Sequence, residues 1–138
     1  SCGLGDVYKR QGYVESFATD SAIGTGKANS DKMLAIVNGQ NASRPGAAVV
    51  ADEYEHDGFT DWYLPSALEV LEMLNNKTII NTTSLAQGGT SLTGGANYLW
   101  SSTEYTQYRS ALLYVHSPYN RVSGDKYAGN RMRPIRSF

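Results

Sequence analysis

The chain has 138 residues, 12 Lys and Arg against 13 Asp and Glu, a formal charge of -1 and one cysteine. That length suits one domain with a hydrophobic core of its own. The near-balanced charge gives no electrostatic case for nucleic acid or an anionic membrane, no apolar run is long enough to span a bilayer, and Cys2 alone cannot form an internal disulfide.

Residues 1–11 include Asp6-Val7-Tyr8-Lys9-Arg10-Gln11, which reads as translated adapter sequence from shotgun library preparation and is set aside from fold reasoning. On this reading the natural chain extends further upstream, where a secretion signal or anchor would belong, and a single domain occupies 12–138. The stretch 12–18, with Tyr13, Val14 and Phe17, predicts a short first strand. The run Gly24-Thr25-Gly26-Lys27 lacks phosphate-loop spacing and has no strong strand before it, so it is read as a plain loop. Asn29 or Ser30 is placed to cap a short helix, with Asp31 in its first turn, Met33, Leu34, Ile36 and Val37 on its apolar side and Gly39 as its stop. A turn over 41–45 leads to a helix from about Arg44 or Pro45 to Tyr54, whose alanines point to close packing.

Glu55-His56-Asp57-Gly58 sets carboxylates on both sides of a histidine. With no second His or Cys nearby in sequence, it is read as a turn and not a metal site. Ser66 and Glu69 have capping-box spacing, and Leu64 and Val70 match a hydrophobic staple. Leu68, Leu71, Met73 and Leu74 form the apolar face of that helix, which sets Glu69 and Glu72 on its wet side. Residues 78–80 fit either a brief β segment or an extension of the helix, and 81–97 reads as a long Thr/Ser/Gly-rich loop.

The stretch 98–138 is rich in Tyr, Ser, Arg, Asn and His. Ala111, Leu113 and Val115 fall on one parity and Leu112, Tyr114 and His116 on the other, which predicts a strand with one buried face. Tyr offers contact area at low entropy cost, Ser and Asn adaptable hydrogen bonds, and Arg a rigid fork of donors, the composition of a recognition surface. The same residues are also ordinary on the exposed face of an antiparallel sheet.

Four pieces carry a family resemblance: Gly24-Thr25-Gly26-Lys27-Ala28-Asn29; the Ala-rich helix at 47–51; Asp61-Trp62-Tyr63-Leu64-Pro65-Ser66 with Glu69; and Leu99-Trp100-Ser101-Ser102-Thr103-Glu104 with Arg131-Met132-Arg133-Pro134-Ile135. From about residue 20 to the end the chain resembles bacterial and phage domains of the C-type-lectin fold, in the branch related to the formylglycine-generating enzyme and to the C-terminal domain of the Legionella collagen-like protein. The resemblance implies an α+β domain with two main helices packed on a small, mostly antiparallel sheet with long loops. More narrowly, the chain resembles the variable protein of a diversity-generating retroelement. In that family error-prone reverse transcription rewrites template adenines near the C-terminus, so that AAY codons yield many residues but not Lys, Glu, Gln, Met or Trp.

The resemblance implies a variable region within 98–138. Thr106, Tyr108, Arg109, Ser110, Leu112, Tyr114, His116, Ser117, Tyr119, Arg121, Ser123, Asp125 and Tyr127 are the varied, ligand-binding positions, and each is reachable from an AAY codon. Tyr105 is an additional contact. Trp62, Leu64, Pro65, Glu69, Trp100, Ala111, Leu113, Val115, Arg131 and Arg133 form the scaffold. Trp62 and Trp100 are expected to anchor its core, Ser101, Ser102 and Thr103 to satisfy nearby backbone groups, and the closing arginines to pair with Glu104 or a carboxylate of the first helices.

A ligand-recognition module is therefore expected, outside the cell on a bacterial surface or phage virion. Its partner would be a protein or cell-surface component, with no cofactor, no nucleic acid and no membrane span in this chain. A non-diversified adhesion or structural domain of the same fold is the alternative. Formylglycine chemistry needs cysteines that this chain lacks outside Cys2, no catalytic constellation stands out, and calcium-dependent sugar binding is disfavoured because 98–138 holds only Glu104 and Asp125 as carboxylates. No enzyme activity and no metal are expected.

Overall fold

The computed structural model describes residues 7–9, 16–39, 46–92, 97–126 and 128–137. They form a small α+β domain in which four helices, α1 (Gly26–Gly39), α2 (Ala47–Glu53), α3 (Ala67–Asn75) and α4 (Lys77–Ala86), accompany a five-stranded mixed sheet. The strands are β1 (Val7–Lys9), β2 (Tyr98–Glu104), β3 (Arg109–Tyr114), β4 (Arg121–Asp125) and β5 (Asn130–Met132), in spatial order β1-β5-β2-β3-β4. All pairs are antiparallel except β2 with β5, where Leu99 faces Arg131 in parallel register. Strand β1 lies inside the segment read as adapter sequence and pairs with β5 through main-chain groups, which any sequence of extended residues supplies.

The sheet is covered on both faces. On one, Ala67, Val70 and Leu74 of α3 pack with Leu92, Leu99, Ala111, Leu113 and Val115. On the other, Ala47 and Ala51 of α2 pack with Leu64, Trp100, Leu112 and Met132. A third, smaller cluster joins Ala48 to Met33 and Ala18. The alanines of α2 thus have the close-packing role expected of them. Two-sided coverage corrects the expectation of a single buried face on β3, because Leu112, on the supposed open parity, is buried against Trp100.

Other departures have local causes. The first helix begins at Gly26, and Asn29 and Ser30 are buried inside it rather than capping it. Its opening acceptor is the Glu69 carboxylate, which accepts from the backbone N–H of Gly26 at 3.0 Å and of Gly24 at 3.3 Å. Glu69 is accordingly buried, not on the wet side of α3, while it also completes the capping box with Ser66. Leu64 and Val70 fall in different core clusters, so the expected staple is replaced by separate anchoring on the two faces of the sheet. Residues 77–86 are helical where a β segment and a loop were considered, and Ile80 packs against the α3 side of the core. Of the strand expected over 12–18, residues 12–15 lie outside the described residues, and 16–18 form no strand, since Phe17 takes φ 58° and breaks the extended path. Two main helices are expected from the resemblance; the described residues hold four.

Candidate functional site

The candidate side chains depend on how β2 holds β3. The β2–β3 register shifts between Trp100 and Glu104, which interrupts the ladder at Ser101-Ser102-Thr103. Those residues supply the missing partners. The Ser101 hydroxyl donates to Ala111 O at 2.8 Å, Ser102 N donates to Pro65 O at 2.7 Å, and Thr103 Oγ1 donates to Asp20 O at 2.8 Å while accepting from Ala67 N at 3.0 Å. The Trp-Ser-Ser-Thr motif is thus a joint between sheet, α3 and the segment before α1: the hydroxyls of Ser101 and Thr103 satisfy backbone groups as expected, whereas that of Ser102 accepts from the Asn29 side chain at 3.4 Å.

At the end of β2 the Glu104 carboxylate is buried and ion-paired with buried Lys126. It also accepts from Ser16 N at 3.1 Å and Phe17 N at 3.0 Å. This corrects the expected pairing of Glu104 with a closing arginine. Buried Arg133 instead donates to Thr90 O at 3.2 Å and Ser91 O at 3.3 Å, and Arg136 makes a bidentate contact with Asp61 at 2.7 and 3.1 Å. The reason is reach. Residues 133–137 run beside 59–63, where Tyr63 and Ile135 exchange backbone bonds at 2.8 and 2.9 Å.

Of the scaffold residues, Leu64, Pro65, Trp100, Ala111, Leu113 and Val115 are buried in or beside the core, and Arg131 is half-buried on β5. Trp62 is buried outside the main clusters, edge-on to Tyr54, with its indole N–H donating to Phe59 O at 2.9 Å. It anchors a satellite rather than the core around β3.

The candidate ligand-binding residues separate into two groups at opposite ends of β3, about 17 Å apart for six strand residues. At the β2–β3 turn lie Tyr105, Thr106, Tyr108 and Arg109, all exposed, with exposed Ser123 and Asp125 on β4. Thr106 Oγ1 accepts from Tyr108 N and Arg109 N at 3.1 Å each, and the Arg109 guanidinium donates to the Ser123 hydroxyl and to Ser123 O. Exposed Phe17 joins this end through its bond to Glu104.

At the β3–β4 end lie half-buried Tyr114 and Tyr119 and exposed His116, Ser117 and Arg121. Tyr98, Tyr114 and His116 form a row with ring centres 5.4 and 5.2 Å apart. Tyr119 takes φ 52°, and Lys77 lies over its ring at 5.2 Å. Between the ends, Ser110 and Leu112 are buried, contrary to their expected place on an exposed face. The neighbouring strand explains it: Gly124 has no side chain where a Cβ would run into Leu112 and come within 3.4 Å of Trp100, so Leu112 fills that space. Tyr127 lies outside the described residues.

Lys77, Tyr98 and Phe17 were not singled out by the sequence. Tyr98 opens the Tyr/Ser/Arg-rich stretch and Phe17 lies in the expected first strand, but all three reach the site through tertiary contacts. Elsewhere, His56 Nε2 sits 3.4 Å from Asp57 Oδ2 in a turn that also stacks His56 on Tyr54. Among the described residues no three His, Cys, Asp or Glu side chains are grouped to hold a metal ion, and no helix is long and apolar enough to cross a membrane. Comparison with family models and with curated proteins finds no match to this chain.

Proposed function

We propose that this is a ligand-recognition domain of the C-type-lectin fold, a variable protein of a diversity-generating retroelement displayed outside the cell and not an enzyme. Exposed side chains around β3 and β4 are rewritten, and the scaffold beneath them is kept. The observation that carries this reading is the agreement between codon reach and burial. Trp100, Glu104, Lys126 and Met132, which AAY codons cannot produce, are buried; Gln107, which they cannot produce either, is exposed in the β2–β3 turn. Thr106, Tyr108, Arg109, His116, Ser117, Arg121, Ser123 and Asp125, which they can, are exposed. Exposed substitutions usually change stability by no more than about 0.5 kcal/mol, whereas truncating a large buried apolar side chain costs roughly 2–5 kcal/mol. Position 119 adds a local argument. Asn, which an unaltered AAY codon encodes, is among the non-glycine residues best suited to its positive φ.

Deep sequencing of this locus in its source community tests the proposal. Variation is expected at the exposed positions and at Tyr114 and Tyr119, following AAY codons, with Ser110 and Leu112 constant because they are buried. Even or absent variation would overturn the retroelement reading and leave a fixed-partner adhesion domain.

A further inference from the structure

The β3–β4 end carries cations without compensating carboxylates. From 105 to 124 the chain contains Arg109, His116 and Arg121 but no Asp or Glu. Arg121 is exposed at the start of β4. Lys77, from the first turn of α4, donates to Val115 O at 3.4 Å and lies over the Tyr119 ring. A carbonyl and a ring face orient its ammonium but leave the positive charge unneutralised. Among the described residues neither Lys77 nor Arg121 forms an ion pair. The carboxylate nearest in sequence to Lys77, Glu72, accepts from the Asn76 side chain at 3.1 Å. The chain's acidic run, Asp52, Glu53, Glu55, Asp57 and Asp61, belongs to α2 and the loop after it.

We propose that Lys77, Tyr119 and Arg121, on the face of the sheet that carries Leu113 and Val115, form a site for an acidic polypeptide segment. Its Asp or Glu carboxylates meet the ammonium and the guanidinium fork, and its apolar parts meet the Tyr119 ring. Charge complementarity names the partner's sign. The rings of Tyr98, Tyr114 and His116 lie on the other face of the sheet, with Leu112, and take no part in the site. This deepens the recognition reading, on which it rests for the role of the surface, and adds a constant residue to it. AAY codons cannot encode Lys, so an ammonium here has to come from the scaffold, and α4 supplies one that every sister sequence would keep.

The full chain is titrated at low salt with fluorescein-labelled octaglutamate, octalysine and an oligogalacturonate, following anisotropy and backbone amide shifts. Octaglutamate is expected to bind, to weaken as salt is added, and to shift the amides of Lys77, Tyr119 and Arg121. The Lys77→Gln, Arg121→Gln double variant should lower its affinity about tenfold with an unchanged unfolding curve. No binding, equal binding of octalysine, shifts confined to other residues, or an unaltered affinity in the double variant would overturn the site. Tighter binding of the oligogalacturonate would overturn the polypeptide assignment. A locus without variation leaves this result standing, and a failed titration leaves the sequencing result standing, so the two ideas fail separately.

Discussion

Gly26 shows how one residue ties separated segments together. A Cβ there would run into Glu69 Oε1 and come within 2.9 Å of Ser66 N and 3.1 Å of Leu64 O. Glu69 is meanwhile bonded to Gly24, Gly26 and Ser66, so the carboxylate has little room to retreat without releasing a backbone donor. Gly26→Ala is expected to destabilise the domain by about 1–3 kcal/mol, read by chemical denaturation, because overpacking displaces buried groups from good geometry. An unchanged midpoint would mean that the joint between α1 and α3 is slack. The sequence reading marked Gly24 and Gly26 as loop glycines and Glu69 as a cap. The capping box was legible from spacing alone; the second role of Glu69 was not, because its partners lie 43 and 45 residues away.

At the scale of elements, the joint between β2, β4 and the segment before α1 is ionic. Glu104 and Lys126 are both buried, and the carboxylate collects two backbone N–H groups besides the ammonium. Removing one partner of such a pair leaves an uncompensated buried charge. Lys126→Met is therefore expected to cost about 3–5 kcal/mol, measured by urea unfolding. Adding Glu104→Gln should recover part of the loss, since a neutral amide oxygen still accepts from Ser16 and Phe17. A single-variant loss below about 1 kcal/mol would place the pair among weak, solvent-screened contacts. AAY codons can produce neither Glu nor Lys, which sets both residues in the constant framework; their contact is visible only in the fold.

Across the whole molecule, the chain closes on itself where residues 133–137 meet 59–63. Arg136 binds Asp61 through two hydrogen bonds and lies 3.7 Å over the centre of the Phe59 ring. The hydrogen bond from Arg136 is the main cause that holds the Asp61 carboxyl below its ordinary value. A carboxylate with a depressed folded-state pKa contributes stability above its unfolded pKa, about 3.9 for Asp, and loses it as pH falls through the folded value. Arg136→Gln should thus be less stable than the parent at neutral pH, and the difference should shrink below about pH 4 as Asp61 protonates. Thermal melts of both proteins across that range check it; a difference independent of pH would assign the effect to packing on Phe59 instead.

Local residue pattern was enough for the α+β class, the Ala-rich helix, the capping box on α3, the inward parity of Ala111, Leu113 and Val115, and the hydroxyl-rich joint after Trp100. Each of these is written in periodicities or spacings of a few residues, which local backbone geometry reads directly. Tertiary structure alone decided that β3 is buried on both faces, that Leu112 and Ser110 are interior, and that the candidate surface divides into two ends. It also decided that Lys77 stands over Tyr119 and that Glu104 takes Lys126 rather than an arginine. Those outcomes depend on which elements cover a strand and on the space left by Gly124 on its neighbour. Burial on the second face of a strand is set by a partner distant in sequence, and no pattern within the strand can announce it.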